Sequence, residues 1–299
     1  MWLILSLLMA GDIQQFPGAR PVPHEKYIHV VSEADSPVER VFIKSKDGLY
    51  VAAAIRKPKG SGPFPVLVHF HGAPGGRGIE QLVTWARGDF GGPVFERFLQ
   101  EGYVIVIADY RAANFATLAD PAPADAVTYA DDAVAVIDHV RALPYVDPQK
   151  IHVYGVSLGG DVTMHLLAQT SVRAAILGAG APIRFLGVRQ NANASGDDRL
   201  RGMTMDEPRA ASNIAKVRTP ILILVGSDDP LLSVNRALHD RLAQAGKRVR
   251  LEIYEHGYHD FVMGPQGQNR PDLKNGEQLL DITLKALESA VMFLKNPAP

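Results

Sequence analysis

From about residue 40 onward, short apolar runs rich in β-branched residues alternate with stretches of helical periodicity. Most of these runs are apolar at successive positions, as strands that are covered by helices on both faces must be. The alternation favours an α/β fold with a mostly parallel central sheet and helices on both faces. The predicted strands are Val41 to Lys44, Tyr50 to Ile55, Val66 to Phe70, Tyr103 to Ala108, Ile151 to Tyr154, Ala174 to Leu177, Ile221 to Val225 and Val249 to Tyr254.

The first two predicted strands are joined by Lys46-Asp47-Gly48, a turn sequence that favours an antiparallel hairpin. Elsewhere, apolar residues recur at helical spacing and predict helices that pack on the sheet. The last of these stretches ends at Asn296 and Pro297, which stop a helix. The predicted apolar faces are Ala130, Val134, Ile137 and Val140; then Val234, Ala237, Leu238 and Leu242; and finally Leu280, Leu284, Leu287, Val291 and Leu294.

The 299 residues are expected to form one domain around one sheet, as α/β enzymes of this length often do. We assign residues 39–299 to this domain and residues 1–38 to an N-terminal segment. Polar residues cluster without a clear period around residues 183–210. This composition predicts a small polar insertion, such as a lid, rather than a linker between domains.

Charge and cysteine content exclude several classes of function. The formal net charge is -1 and Lys and Arg form no run, so nucleic acid is not an expected partner. The chain has no cysteine, which removes disulfides, thiolate metal sites and a cysteine nucleophile.

The apolar segment Trp2 to Met9 is too short to span a bilayer, so no integral membrane association is expected. Two interpretations of it stay open. Residues 1–10 are either a short signal peptide that is cut after Ala10 or a helical turn that packs on the body of the protein. The first predicts a secreted or periplasmic protein, and the second predicts a cytoplasmic one. The sequence makes no prediction of oligomeric state.

The sharpest local signal is Gly155-Val156-Ser157-Leu158-Gly159-Gly160, which lies between a predicted strand and a helical segment. Small residues on both flanks let the strand and the helix approach closely at a tight turn that exposes the serine hydroxyl. A serine hydroxyl is a weak nucleophile at neutral pH, so it needs a neighbouring base and a third group that orients the base. Ser157 is therefore the candidate nucleophile of a hydrolase.

Two later loops offer carboxylates and imidazoles in the order that such a nucleophile requires. Asp228 and Asp229 follow the strand that ends at Val225, and His256 and His259 follow the strand that ends at Tyr254. Both loops lie at the carboxyl ends of strands, where open parallel sheets build their sites. The chain order is serine, acid and histidine, and either member of each pair satisfies it.

Acyl transfer also requires backbone N–H groups directed at the oxyanion that develops in the reaction. Leu158, the residue after the candidate nucleophile, is expected to supply one of them. The second is expected from Ala73, within the loop His71-Gly72-Ala73-Pro74-Gly75-Gly76 that follows a predicted strand. Pro74 has no N–H to donate, but its fixed φ favours the turn.

His69 and His71 also fit a zinc interpretation, because two imidazoles two residues apart can lie on one face of a metal site. The sequence offers no third ligand cluster, so we predict no metal site and expect His71 to brace the oxyanion loop. Four aromatic residues fall beyond predicted strand ends and are candidates for lining an apolar substrate pocket. They are Trp85, Tyr110, Phe185 and Tyr258, and each of them fits a place in the core equally well.

Over roughly residues 39–295 the chain resembles the prolyl oligopeptidase-like and dienelactone hydrolase-like branch of the α/β hydrolases. The resemblance implies an α/β-hydrolase fold with about eight strands and a cofactor-free hydrolysis through an acyl-enzyme. It also implies that Asp229, three residues after Gly226, is the acid and that His259 is the base. Asp228 is then expected to cap or face solvent, and His256 to brace its loop. The motifs that carry the resemblance are the two loops around His71 and Ser157, Asp109-Tyr110-Arg111, Val146-Asp147-Pro148, Gly226 to Asp229 and His259-Asp260-Phe261.

Two departures from the family shape the expected activity. Dienelactone hydrolases proper carry cysteine where this chain has Ser157, which argues against lactone opening of that type. Prolyl oligopeptidases carry a propeller domain, and no sequence is left over here to build one. We therefore expect a serine esterase that acts on small-molecule carboxylic esters. A serine exopeptidase or amidase is the alternative, and a non-catalytic binding module that has kept the fold is a third interpretation.

Overall fold

The computed structural model describes residues 36–48, 50–73, 75–88, 92–110, 126–189, 203–259, 261–264 and 276–297. Within these residues, eight strands form the central sheet in the order β1-β2-β4-β3-β5-β6-β9-β10. Each strand overlaps one of the predicted apolar runs. The strands are β1 (Val38–Lys44), β2 (Tyr50–Arg56), β3 (Phe64–Phe70), β4 (Val104–Ala108), β5 (Val146–Val156), β6 (Ala174–Gly178), β9 (Ile221–Gly226) and β10 (Val249–Tyr254).

The sheet is mostly parallel, and its two first strands form the predicted hairpin. β1 pairs antiparallel with β2, and β2 pairs antiparallel with β4. The remaining pairs of neighbouring strands are all parallel. Gly48 in the hairpin turn has a φ of 89°, a conformation that glycine adopts without steric cost. The carboxyl ends of the six parallel strands therefore lie along one edge of the sheet.

Helices cover both faces of the sheet, because the strands present apolar side chains on each. Val66 and Val68 of β3 belong to one core cluster, whereas Leu67 between them belongs to the other. The helices are α1 (Ile79–Arg87), α2 (Gly92–Gln100), α3 (Ala126–Arg141), α4 (Leu158–Leu167), α5 (Glu207–Lys216), α6 (Leu232–Gln244) and α7 (Gly276–Lys295), with a 3-10 turn at Phe261–Met263. The first cluster includes apolar residues of α3 to α6, and the second includes those of α1, α2 and α7. The predicted α/β-hydrolase fold is confirmed.

The polar stretch around residues 183–210 contains more regular structure than its sequence predicts. Its two short strands, β7 (Val188–Arg189) and β8 (Thr204–Met205), pair antiparallel on either side of residues 190–202, which lie outside the described residues. Helix α5 begins within the stretch. Asp206 caps this helix by accepting a hydrogen bond from the N–H of Arg209 at 3.1 Å. The sequence analysis missed α5 because only Ala210 and Ile214 of this helix are buried.

The N-terminal segment is described only from residue 36 onward, so the signal-peptide interpretation of residues 1–10 lies outside the described residues. Across the parts of the chain that are described, no helix combines the length and the apolar character needed to cross a membrane. The division into residues 1–38 and 39–299 stays a prediction.

Candidate active site

Ser157 lies on a tight turn between β5 and α4, with a φ of 52° and a ψ of -118°. A positive φ is uncommon for a residue with a side chain, and it persists only where the surroundings hold it. Here the N–H of Ser157 donates to the carbonyl of Gly178 at 3.2 Å, and its own carbonyl accepts from the N–H of Ala181 at 2.8 Å. The fold therefore fixes the backbone of the candidate nucleophile from both sides.

Two glycines permit this turn, for the steric reason that the sequence analysis gave. A Cβ atom on Gly155 would lie 2.3 Å from the carbonyl oxygen of Gly159. A Cβ atom on Gly159 would lie 2.0 Å from the carbonyl oxygen of Phe70, the last residue of β3. Both contacts are with backbone, which cannot swing aside as a flexible side chain can. Larger residues at either position would thus push the helix away from the sheet.

Three side chains from separate loops form a continuous line of hydrogen bonds. Nε2 of His259 lies 2.9 Å from Oγ of Ser157, and Nδ1 of His259 lies 3.2 Å from both carboxylate oxygens of Asp229. An ionised carboxylate only accepts, so the ring proton of His259 belongs on Nδ1 and Nε2 is left to accept the serine proton. The side chain of Asp229 is fully buried and that of His259 is 14% exposed. The arrangement can move a proton from a hydroxyl to an imidazole.

The loop after β9 directs Asp229, and not Asp228, at the imidazole. The N–H of Leu231 donates to Oδ1 of Asp229 at 2.8 Å, which holds the carboxylate in place. The carboxylate of Asp228 instead accepts from the hydroxyl of Ser227 at 2.8 Å. This hydroxyl also accepts from the N–H of His256 at 2.9 Å, so it links the two loops.

The loop after β10 brings His259, and not His256, to Ser157. His256 is exposed and has a φ of 59°, and its ring lies 3.7 Å from the carboxylate of Glu255. A Cβ atom on Gly226 would lie 1.8 Å from the carbonyl oxygen of Gly257, so the backbones of these two loops touch at this point. The close contact explains how an acid and a base on neighbouring strands meet.

The loop after β3 lies beside the candidate nucleophile. A Cβ atom on Gly72 would lie 3.3 Å from the Cβ atom of Ser157, so the loop faces the serine closely. Ala73 follows Gly72 and is partly exposed, whereas Pro74 lies outside the described residues. Leu158 is the first residue of α4, where a backbone N–H has no partner within the helix. The two amides expected to meet an oxyanion therefore belong to segments that adjoin Ser157.

The four aromatic residues expected to line a pocket occupy different environments. Tyr110 is 1% exposed and Phe185 is 0% exposed, so both are buried, as the core alternative predicts. Tyr110 stacks on His71 with ring centroids 4.6 Å apart, and Phe185 meets His165 edge to face at 5.4 Å. Trp85 belongs to helix α1 rather than to a loop, and Tyr258 is partly exposed one residue before His259.

His69 is packed among aromatic rings, not among ligands. Its ring meets Phe95 at 5.0 Å and Tyr154 at 5.9 Å. Burial, together with the neighbouring charge of His71, lowers the pKa of His69 to about 3, so its ring is neutral at neutral pH. In the described ranges of the chain, no group of three or more His, Cys, Asp or Glu residues is placed to hold a metal ion.

Asp161 is a buried carboxyl group near the nucleophile turn that the sequence analysis did not single out. It lies in the first turn of α4, and its Oδ1 accepts from the N–H of Phe185 at 3.0 Å. Burial raises the pKa of Asp161 to about 7, although this hydrogen bond and the charge of Arg184 act in the opposite direction. A polar residue in a helix of apolar character was the only sequence signal for it.

Comparison with known proteins agrees with the fold. The model of the dienelactone hydrolase family matches residues 51–278. This chain belongs to the dienelactone hydrolase family. The resemblance stated from the sequence is thereby confirmed, and this member of the family is a hydrolase.

Similar proteins include both esterases and peptidases. An uncharacterized protein of Mycobacterium tuberculosis is 25% identical over 279 residues, which cover 93% of this chain and 87% of that protein. Esterase 2 of Thermogutta terrifontis, solved in a form phosphorylated by paraoxon, is 23% identical with a TM-score of 0.58, over 86% of this chain and 93% of that chain. The acylaminoacyl peptidase of Pyrococcus horikoshii is 18% identical with a TM-score of 0.59, over 87% of this chain and 42% of that chain. The two structural likenesses show a shared fold.

Proposed function

We propose that this hydrolase cleaves carboxylic esters of small molecules through an acyl-enzyme intermediate, with Ser157 as nucleophile, His259 as general base and Asp229 as the acid that orients the base. The observation that carries the proposal is the line of hydrogen bonds from Oγ of Ser157 to Nε2 of His259, at 2.9 Å, and from Nδ1 of His259 to the carboxylate of Asp229, at 3.2 Å. Side chains, backbone amides and water supply every group that the reaction needs, so the proposed mechanism uses no cofactor.

In the first half of the reaction, Oγ of Ser157 attacks the ester carbonyl carbon while its proton passes to Nε2 of His259. The buried carboxylate of Asp229 stabilises the imidazolium that forms and keeps its ring in position. The carbonyl oxygen becomes an oxyanion and accepts hydrogen bonds from the N–H groups of Leu158 and Ala73. When the intermediate collapses, the alcohol leaves with the proton of His259 and the acyl group stays on Ser157.

In the second half, a water molecule replaces the alcohol. It gives a proton to Nε2 of His259 and attacks the acyl carbon, and the same two amides meet the second oxyanion. Collapse of this intermediate breaks the bond to Oγ, which takes back the proton from His259. The carboxylic acid is released and the enzyme returns to its starting state.

The comparisons support ester cleavage more than peptide cleavage, because the match to the Thermogutta esterase spans 93% of that chain and the match to the Pyrococcus acylaminoacyl peptidase spans only 42% of that chain. A serine exopeptidase or amidase activity on the same three side chains is the second candidate, favoured by the likeness to that peptidase. We further propose that Tyr258, which is partly exposed beside His259, contacts the substrate.

Paired substrates test this ranking. Purified enzyme is assayed with p-nitrophenyl esters and p-nitroanilides that carry the same acyl group, from acetyl upward. The values of kcat/KM are compared after division by the uncatalysed rates, because esters hydrolyse faster than amides in water. We expect a larger normalised value for the esters, and a steep fall with acyl length would indicate a small closed pocket. A larger normalised value for the anilides would reverse the ranking.

A further inference from the structure

Asp109 lies behind the oxyanion loop, directly after the carboxyl end of β4. Its carboxylate is 2% exposed and accepts four hydrogen bonds. The donors are Nε2 of His71 at 3.1 Å and the N–H groups of Gly76 at 2.8 Å, Gly78 at 2.9 Å and Tyr110 at 2.9 Å. Three of these donors belong to residues 71–78, the loop that joins β3 to α1 and contains Ala73. One carboxylate thus holds this loop at both of its ends.

Tyr110 supports the same loop from the same side. Its hydroxyl donates to the carbonyl of His71, and its own carbonyl accepts from the N–H of Gly76 at 3.0 Å. A Cβ atom on Gly75 would lie 2.8 Å from the ring of Tyr110, so the loop backbone rests against the ring. The loop also meets Ser157, through Gly72. It therefore has Asp109 and Tyr110 as supports and the candidate nucleophile as a close neighbour.

Both ring nitrogens of His71 face acceptors. Nδ1 lies 2.6 Å from the carbonyl oxygen of Gly72, and Nε2 lies 3.1 Å from Oδ1 of Asp109. The hydroxyl of Tyr110 also lies 3.4 Å from Nδ1. Contacts at both ring nitrogens therefore hold His71 in place, and Nε2 is the nitrogen that faces the buried carboxylate.

The neighbouring groups favour the ionised form of Asp109. Burial pushes the pKa of Asp109 upward, but the hydrogen bonds from His71, Gly78 and Tyr110 and the charge of His71 outweigh burial and hold the pKa below its usual range. His69, on the preceding strand, is neutral. Arg77 places its guanidinium over the ring of Trp85 and donates to the carbonyl of Ala73 at 2.5 Å. The hydroxyl of Tyr110 also faces the pair, and Tyr129 packs against the ring of Tyr110.

We propose that Asp109 is a positioning residue for the reaction: together with His71, it fixes the loop that directs the N–H of Ala73 at the oxyanion. The inference rests on the proposed function. An oxyanion donor acts only within a narrow range of distance from the reacting oxygen, and a displacement of about 1 Å can lower the rate about a hundredfold. Asp109 thereby controls the rate without touching the substrate.

Asp109→Asn tests this role, because it keeps the size of the side chain but removes its charge. It also replaces one of the two accepting oxygens with an NH2 group, which cannot accept from the N–H groups that face it. We expect kcat on a short-chain aryl ester to fall about ten- to a hundredfold while KM changes less than about threefold. Glu96→Gln is the matched control, since Glu96 is also a buried carboxyl group and pairs with Arg56 at the opposite edge of the sheet. This control should lower the unfolding temperature but leave kcat of the folded enzyme unchanged.

Nitrogen NMR of the histidine side chains in the wild-type protein gives a readout that does not depend on activity. We expect Nε2 of His71 to carry a proton that is hydrogen-bonded to Asp109 in the wild type, and this hydrogen bond to be lost in Asp109→Asn. If Asp109→Asn does not fold, His71→Gln replaces it and is expected to show the same loss of kcat.

The outcomes separate the two proposals. A folded Asp109→Asn or His71→Gln variant with wild-type kcat, or a wild type in which Nε2 of His71 carries no hydrogen-bonded proton, would overturn the positioning role. Failure of the wild type to hydrolyse esters or amides would instead overturn the proposed function, and the NMR measurement would still decide whether the His71 and Asp109 pair exists as described.

Discussion

Nε2 of His259 lies 2.9 Å from Oγ of Ser157, although 102 positions separate the two residues in the sequence. The sheet order explains the approach, because β5, β6, β9 and β10 are successive neighbours and their carboxyl ends share one edge. Ser157 follows β5 and His259 follows β10, so a base on the outermost strand reaches across two intervening strands. The contact depends on Gly226 and Gly257, whose backbones touch, and on the fixed turn at Ser157.

Asp229→Asn is expected to lower kcat by about a thousand- to ten-thousandfold, because an amide in place of the carboxylate no longer stabilises the imidazolium or fixes its tautomer. Asp228→Asn is the matched control. Its carboxylate accepts from Ser227, and this variant should change kcat less than about tenfold. Steady-state kinetics on an aryl ester measure both, and the reverse ranking would assign the acid role to Asp228.

Gly159→Ala is expected to destabilise the fold by about 3 kcal/mol or more, because the added Cβ would lie 2.0 Å from the carbonyl oxygen of Phe70. Gly180→Ala is the comparison, since its Cβ would meet the side chain of Leu177 at 3.3 Å and no backbone more closely. Urea unfolding followed by circular dichroism compares the two variants. Equal stability of the Gly159 variant and the wild type would show that α4 does not approach β3 as described.

Asp161→Asn is expected to stabilise the protein in a pH-dependent way. Burial raises the pKa of Asp161 from 3.8 to about 7, so between these values the unfolded chain ionises while the folded protein stays protonated. The contribution of protonated Asp161 to wild-type stability is therefore fully present below about pH 4 and is lost as the pH rises to about 7. Asparagine does not ionise and still accepts from the N–H of Phe185.

The advantage of Asp161→Asn in unfolding free energy should accordingly grow from pH 4 to pH 7, to a few kcal/mol at most, and then stay constant. Urea unfolding at several pH values measures it. An advantage that does not change with pH would show that Asp161 is already ionised in the folded protein at low pH.

The sequence predicted those parts of the structure that local patterns determine. Each strand of the central sheet overlaps a predicted apolar run, and the turn at Ser157 followed the spacing of Gly155 and Gly159. Helix α5 was missed because it buries only two apolar side chains, which is too few to give a helical period. Tyr110 was expected at a pocket wall, but its burial depends on His71 and Tyr129, which come from distant parts of the chain. The role of Asp109 was hidden for the same reason, since three of its four donors lie more than 30 positions away.

The most direct test of the account is the reaction of the folded protein with a fluorophosphonate probe, followed by mass spectrometry of the labelled peptide. We predict that the probe modifies Ser157 in the wild type, and that Ser157→Ala stays folded, takes up no probe and loses turnover of a short-chain aryl ester by about ten-thousandfold or more. A folded wild-type protein that leaves Ser157 unlabelled, or a Ser157→Ala variant that keeps its esterase activity, would contradict the account.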